Sequence, residues 1–127
     1  MLFRSKKWYN RSKSMVTTDF IKNMKSGSAL INTARGEIIT DLDIFVEPIK
    51  SGKLIGVGLN VLPEEPPKNC ELIRAWKRRD EWASGKVINK PHTSYYSQDS
   101  YVEMRKKAAM NAKRIIKGDI PFNIITS

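Results

Sequence analysis

Three short apolar runs constrain this chain more than any other feature: Ala29-Leu30-Ile31, Leu54 to Val61, and Val87-Ile88. Each is closed by small polar residues or proline, and each is short for a helix. Such runs read as buried strands of a parallel sheet. Helical patterns separate them. Thr17 or Thr18 caps a helix through Asp19 to Met24, with Phe20, Ile21 and Met24 on its apolar side. Thr40-Asp41-Leu42-Asp43 opens a second, with Thr40 as cap and Ile44, Phe45 and Ile49 inward. Pro48 inside that helix should cost ~3 kcal/mol or bend it. Leu72, Ile73 and Trp76 set the period of a third, over Glu71 to Glu81. The last begins at Ser97 or Ser100, with Ser100 and Glu103 as a capping box, and ends at Gly118 and Pro121. Tyr101, Met104, Ala108, Ala112 and Ile115 form its apolar stripe. Strands alternating with helices imply an α/β fold, a parallel sheet with helical crossovers.

A chain of 127 residues has room for one modest core. Its 23 Lys and Arg against 13 Asp and Glu leave a net charge of +10, which can attract nucleic acid, an anionic membrane or a small anion. Arg4, Lys6, Lys7, Arg11 and Lys13 all precede the first acid, Asp19. Residues 1–15 therefore read as a basic tail or remnant with some transit-peptide character, so a cytoplasmic location is expected and a mitochondrial one stays open. The longest apolar stretch, near Leu54 to Leu62, is broken by glycines and Asn60, so no membrane partner is expected. A lone cysteine, Cys70, excludes an internal disulfide, and no metal site is expected. Trp76 and Trp82 beside Lys77, Arg78 and Arg79 could grip a single-stranded nucleic acid. No nucleic-acid-binding motif accompanies them, and a charged helix face is usually solvated, so that partner is not expected. Trp76 is expected to pack against the sheet instead.

Each strand runs out into residues able to do chemistry: Arg35 after the first, Glu64-Glu65-Pro66 after the second, Pro91-His92-Thr93 after the third. Ligands of open parallel sheets bind just past the carboxyl ends of the strands. A guanidinium there can grip a carboxylate with two parallel hydrogen bonds. A carboxylate beside an imidazole favours the imidazolium, and such a group can pass a proton to or from an oxygen. None of these residues is a hydride source, so a redox reaction needs a bound cofactor.

The ordered motifs Asn32-Thr33-Ala34-Arg35-Gly36, Gly58-Leu59-Asn60-Val61 followed by Glu65-Pro66, and Pro91-His92-Thr93-Ser94 resemble those of the D-isomer-specific 2-hydroxyacid dehydrogenases. That family includes formate, phosphoglycerate and glyoxylate/hydroxypyruvate enzymes and the C-terminal-binding corepressors. The helix Met104 to Ile116 and the exit Gly118-Asp119-Ile120-Pro121 fit as well, so the resemblance runs from about Thr17 to Pro121. It implies a partial Rossmann-like, doubly wound parallel sheet with a long C-terminal helix. Residues 16–118 would be the second half of the dinucleotide-binding domain, and 119–127 a return segment toward a substrate domain. By the same resemblance Arg35 binds a 2-oxo acid, His92 is the acid/base and Glu65 tunes it. The nicotinamide contacts of the family fall on Thr33, Ala34, Arg35, Asn60, His92 and Ser94. The implied cofactor is NAD or NADP, and the implied substrate a short 2-oxo or 2-hydroxy acid of the glyoxylate/hydroxypyruvate type. Homodimers are common in the family.

Three departures stand out. Asn60 occupies a position where the family usually has Asp; an amide still hydrogen-bonds a carboxamide but lacks the charge. The stretch from Glu65 to His92 is longer than in many members. No G-x-G-x-x-G follows a strand, so the pyrophosphate-binding turn is absent from this sequence. The expectation is a truncated chain, poorly soluble and without NADH turnover by itself. Two other readings are a non-catalytic, corepressor-like NAD-sensing protein and a non-functional gene fragment.

Overall fold

The computed structural model describes residues 12–124, so most of the basic tail lies outside the described residues. The chain divides into two units, Met1–His92 and Thr93–Ser127.

The first unit holds three parallel strands, β1 (Ser28–Asn32), β2 (Leu54–Leu59) and β3 (Val87–Asn89), in the order β1-β2-β3. They fall where the apolar runs place them. Among the described residues three helices accompany them: α1 (Thr18–Asn23), α2 (Val46–Lys50) and α3 (Glu71–Arg78). Thr17 caps α1 by accepting from the Phe20 N–H at 3.1 Å. So short a helix turns Ile21 and, in part, Met24 to the core, whereas Phe20 stays exposed.

One face of the sheet carries the core. Val57, Leu59 and Val87 meet Ile39, Phe45, Ile49, Leu72 and Ile73 there. On the other face Ile31 is 75% exposed and Ile88 more than half exposed, and Ile55, at the register shift of β2, is exposed as well. This narrows the reading of the three runs as buried strands. Successive side chains of a strand point to opposite faces, and only one face meets the core.

The second helical segment differs from its sequence pattern. Asp41, not Thr40, is the cap, accepting from the Asp43 N–H at 2.7 Å; the Thr40 hydroxyl donates to the Val16 carbonyl instead. Leu42–Phe45 form a 3₁₀ turn before α2 begins. Pro48 is then the third residue of α2, within its first turn, where an N–H needs no partner inside the helix. The anticipated penalty does not arise.

The N-terminus of α3 is capped from a distance. Its local cap residue, Cys70, supplies no side-chain bond. The carboxylate of Asp43 accepts from the Glu71 N–H at 3.1 Å and the Leu72 N–H at 2.9 Å. Asp43→Ala should therefore cost about 1–2 kcal/mol, seen as a lower urea midpoint with an unchanged slope; an unaltered midpoint would refute the cap. At its other end α3 stops at Arg78 rather than Glu81. Arg79 adopts a left-handed conformation, φ 58°, and Asp80 turns back to pair with Arg78 at 2.7 Å. Trp76 and Trp82 pack partly buried against the core, and Lys50 lies over the Trp82 ring at 4.9 Å.

The second unit is dominated by α4 (Gln98–Ile116), capped by Ser97, whose hydroxyl accepts from the Ser100 N–H at 3.2 Å. The Ser100–Glu103 capping box does not form. Ser100 occupies the position that Ser97 caps, and Glu103 pairs forward with Lys107. No residue of α4 is buried, its apolar stripe included. After Gly118, φ +77°, the chain folds back on the helix. Arg114 donates to the Ile120 carbonyl at 2.6 Å and lies over the Phe122 ring, while Asn111 makes two hydrogen bonds to the Phe122 backbone. Among the described residues no helix is long and apolar enough to cross a membrane.

Candidate active site

The register sets the three strand ends level, Asn32 opposite Leu59 and Leu59 opposite Asn89. The ladder then continues one step beyond the strands. The Asn60 N–H donates to the Asn32 carbonyl at 3.0 Å, and the His92 N–H donates to the Asn60 carbonyl at 2.8 Å. Asn60 is thus the backbone link between the turn after β1 and the turn after β3.

The turn after β1 is organised by Asn32, a residue that the sequence reading did not place in the site. Its buried side chain accepts from the Ala34 N–H at 3.0 Å and donates to the Arg35 carbonyl at 2.8 Å. An Asn ahead of a turn is the local signal for such an arrangement. Thr33, Ala34 and Arg35 are exposed on this turn, and the Arg35 guanidinium donates to the Ala34 carbonyl at 2.8 Å.

Glu65 and His92 meet directly, Oε2 to Nε2 at 2.6 Å, although 27 positions separate them. The other carboxylate oxygen of Glu65 accepts from the Leu62 N–H at 2.9 Å. These two bonds, the imidazole's first and the Leu62 N–H second, hold the Glu65 carboxyl below its ordinary value of 4.5. His92 sits in the left-handed region at φ 50°, a conformation that costs a side-chain-bearing residue some energy and recurs at functional sites. Its side chain is 61% exposed, open to a ligand. Arg35 stands on the neighbouring turn, engaged with Ala34 rather than with Glu65 or His92. Ser94 lies in the second unit.

The direction of the Glu65 shift fixes a pH effect. A carboxyl that ionises more easily when folded stabilises the fold above 4.5, and that contribution fades as pH falls through the lowered value. Because both partners are largely exposed the contribution is modest. Wild type should be more stable than Glu65→Gln at neutral pH, with the difference shrinking below about 4.5. Denaturant midpoints across pH 3 to 7 check this; a gap that widens on acidification would contradict it.

The family model of the NAD-binding domain of D-isomer specific 2-hydroxyacid dehydrogenases matches residues 8–94. A glyoxylate reductase from Thermococcus litoralis is 31% identical over 111 residues, 87% of this chain and 30% of that protein. A D-lactate dehydrogenase with NAD+ from Lactobacillus jensenii superposes with a TM-score of 0.71 at 22% identity, over 93% of this chain and 37% of that one. A D-isomer specific 2-hydroxyacid dehydrogenase from Xanthobacter autotrophicus Py2, in complex with NADPH and MES, does so with a TM-score of 0.61 at 21% identity, over 91% and 43%. The chain spans about 30% of the length of that reductase. Its fold is the Rossmann type of these neighbours, represented here by three parallel strands in an open sheet, with helices and a long C-terminal helix.

Proposed function

The chain belongs to the D-isomer specific 2-hydroxyacid dehydrogenase family, within its NAD-binding domain, and on that premise we propose that it carries the proton-transfer half of a dehydrogenase for short 2-hydroxy and 2-oxo acids. The observation that carries this reading is the Glu65–His92 contact of 2.6 Å at the carboxyl edge of the sheet. Glyoxylate is the proposed substrate type, supported by the glyoxylate reductase relative.

In this reading Glu65 holds the imidazole through Nε2, which leaves Nδ1 to exchange a proton with the substrate oxygen. During reduction His92 gives that proton to the carbonyl oxygen as it becomes a hydroxyl; during oxidation it takes the proton back. The Glu65 carboxylate fixes the orientation of the imidazole for that exchange. Arg35 binds the substrate carboxylate and steadies charge on the reacting oxygen.

The residues present fit the nicotinamide end of NAD or NADP. Asn60 offers both an amide donor and an acceptor, as a carboxamide needs, and Thr33 adds a hydroxyl on the exposed turn. Thr33, Ala34, Arg35, Asn60 and His92 would hold that end. The glycine-rich turn that binds pyrophosphate has no counterpart in this sequence. When bound, the cofactor supplies or accepts the hydride.

The test is a chimera in which residues 17–121 replace the matching segment of a full-length glyoxylate reductase. It should oxidise NADH or NADPH in the presence of glyoxylate. A folded chimera that binds the nucleotide and reduces no 2-oxo acid would overturn the proposal.

A further inference from the structure

We propose that Gly36 is the positioning residue of the Glu65–His92 pair: its missing side chain lets the Leu62–Pro63 backbone lie on the Arg35 turn, and that contact sets where the Glu65 carboxylate stands. Gly36 is buried. A Cβ built on it would overlap the Leu62 carbonyl and come within 2.6 Å of the Pro63 nitrogen. The obstruction is backbone, which cannot swing aside as a flexible side chain could. Gly36 lies outside the left-handed region, so space, not conformation, demands glycine.

The blocked carbonyl belongs to the same residue whose N–H, one peptide earlier, holds Glu65. The Leu62 N–H donates to one carboxylate oxygen at 2.9 Å, and the other oxygen meets His92 at 2.6 Å. Any side chain at position 36 pushes Leu62 outward and carries the carboxylate with it. Because Arg35 directly precedes Gly36, the same contact seats the Arg35 turn against the Glu65 loop. Gly58 provides the contrast: the atoms nearest to a Cβ there are those of the Ile31 side chain, from 3.5 Å, an ordinary contact.

The catalytic meaning of this contact rests on the dehydrogenase reading; the contact itself does not. His92 is the chain's one histidine, so its imidazole resonances are unambiguous. Wild type should show a nuclear Overhauser effect between the Gly36 Hα protons and Pro63 Hδ. It should also show a downfield, hydrogen-bonded imidazole N–H proton that Glu65→Ala removes. Gly36→Ala should lose that N–H signal, whereas Gly58→Ala keeps it. In a glyoxylate-reducing chimera Gly36→Ala should lower kcat by about 10²-fold, the scale of an ångström-sized misplacement.

A folded Gly36→Ala that retains the imidazole signal overturns the proposal. Should that variant not fold, wild type decides: both the Gly36–Pro63 effect and slow exchange of the Leu62 N–H, quickened by Glu65→Ala, must be present, and absence of either overturns it. A chimera without turnover in which these signals persist would sink the dehydrogenase reading and leave the positioning role standing.

Discussion

His92→Gln, introduced into a glyoxylate-reducing chimera, should lower kcat by about 10²–10⁴-fold, the usual worth of a general acid/base. The glutamine amide can still donate to the Glu65 carboxylate, so the loop and its hydrogen bond survive. It has no proton that it can release and recover at neutral pH. Substrate capture depends on Arg35 in this reading, so KM should change far less than kcat. The split between the two constants is the informative readout. An unchanged kcat would mean that the 2.6 Å Glu65–His92 contact is only a structural clasp between two loops. A large rise in KM at constant kcat would assign His92 to binding rather than proton transfer.

Phe45→Ala should cost about 3–5 kcal/mol and leave much of the first unit unfolded. Phe45 is fully buried at the joint between the 3₁₀ turn and α2, and that turn contacts both α2 and α3. It shares one core with Ile49, Leu54 and Leu72, each also fully buried. Removing the ring opens a cavity where two helices and the sheet converge, and a rigid strand cannot move in to fill it. Domains of this size are stable by only about 5–15 kcal/mol in total. Bare apolar side chains on the other face of the sheet add nothing that could compensate. Urea denaturation followed by tryptophan fluorescence reports the loss, since Trp76 and Trp82 pack on this core. A cost below about 1 kcal/mol would mean that the helices are not seated on the sheet as described.

Patterns that depend on near neighbours in the chain were legible in the sequence. The apolar runs placed β1, β2 and β3, Thr17 marked the start of α1, Ser97 was one of two caps offered for α4, and the residues able to do chemistry stood out at the strand ends. Strand alternation, helical period and cap chemistry act over two to four residues, so the order of letters carries them directly. The spacing of three motifs was enough to point to the family that the domain match establishes.

Folding decided whatever depended on a partner from elsewhere. Asp43 left the start of its own segment to cap α3, 28 positions on, while Asp41 took the cap that Thr40 seemed to own. Glu103 chose Lys107 over the capping box, and the apolar runs proved to have one covered face and one bare one. Gly36 looked like the end of a motif; only the approach of Leu62 shows why a side chain cannot stand there. A hydrogen-bonding group or an empty volume takes whichever partner the fold delivers, and that choice is made across space, where sequence separation counts for nothing.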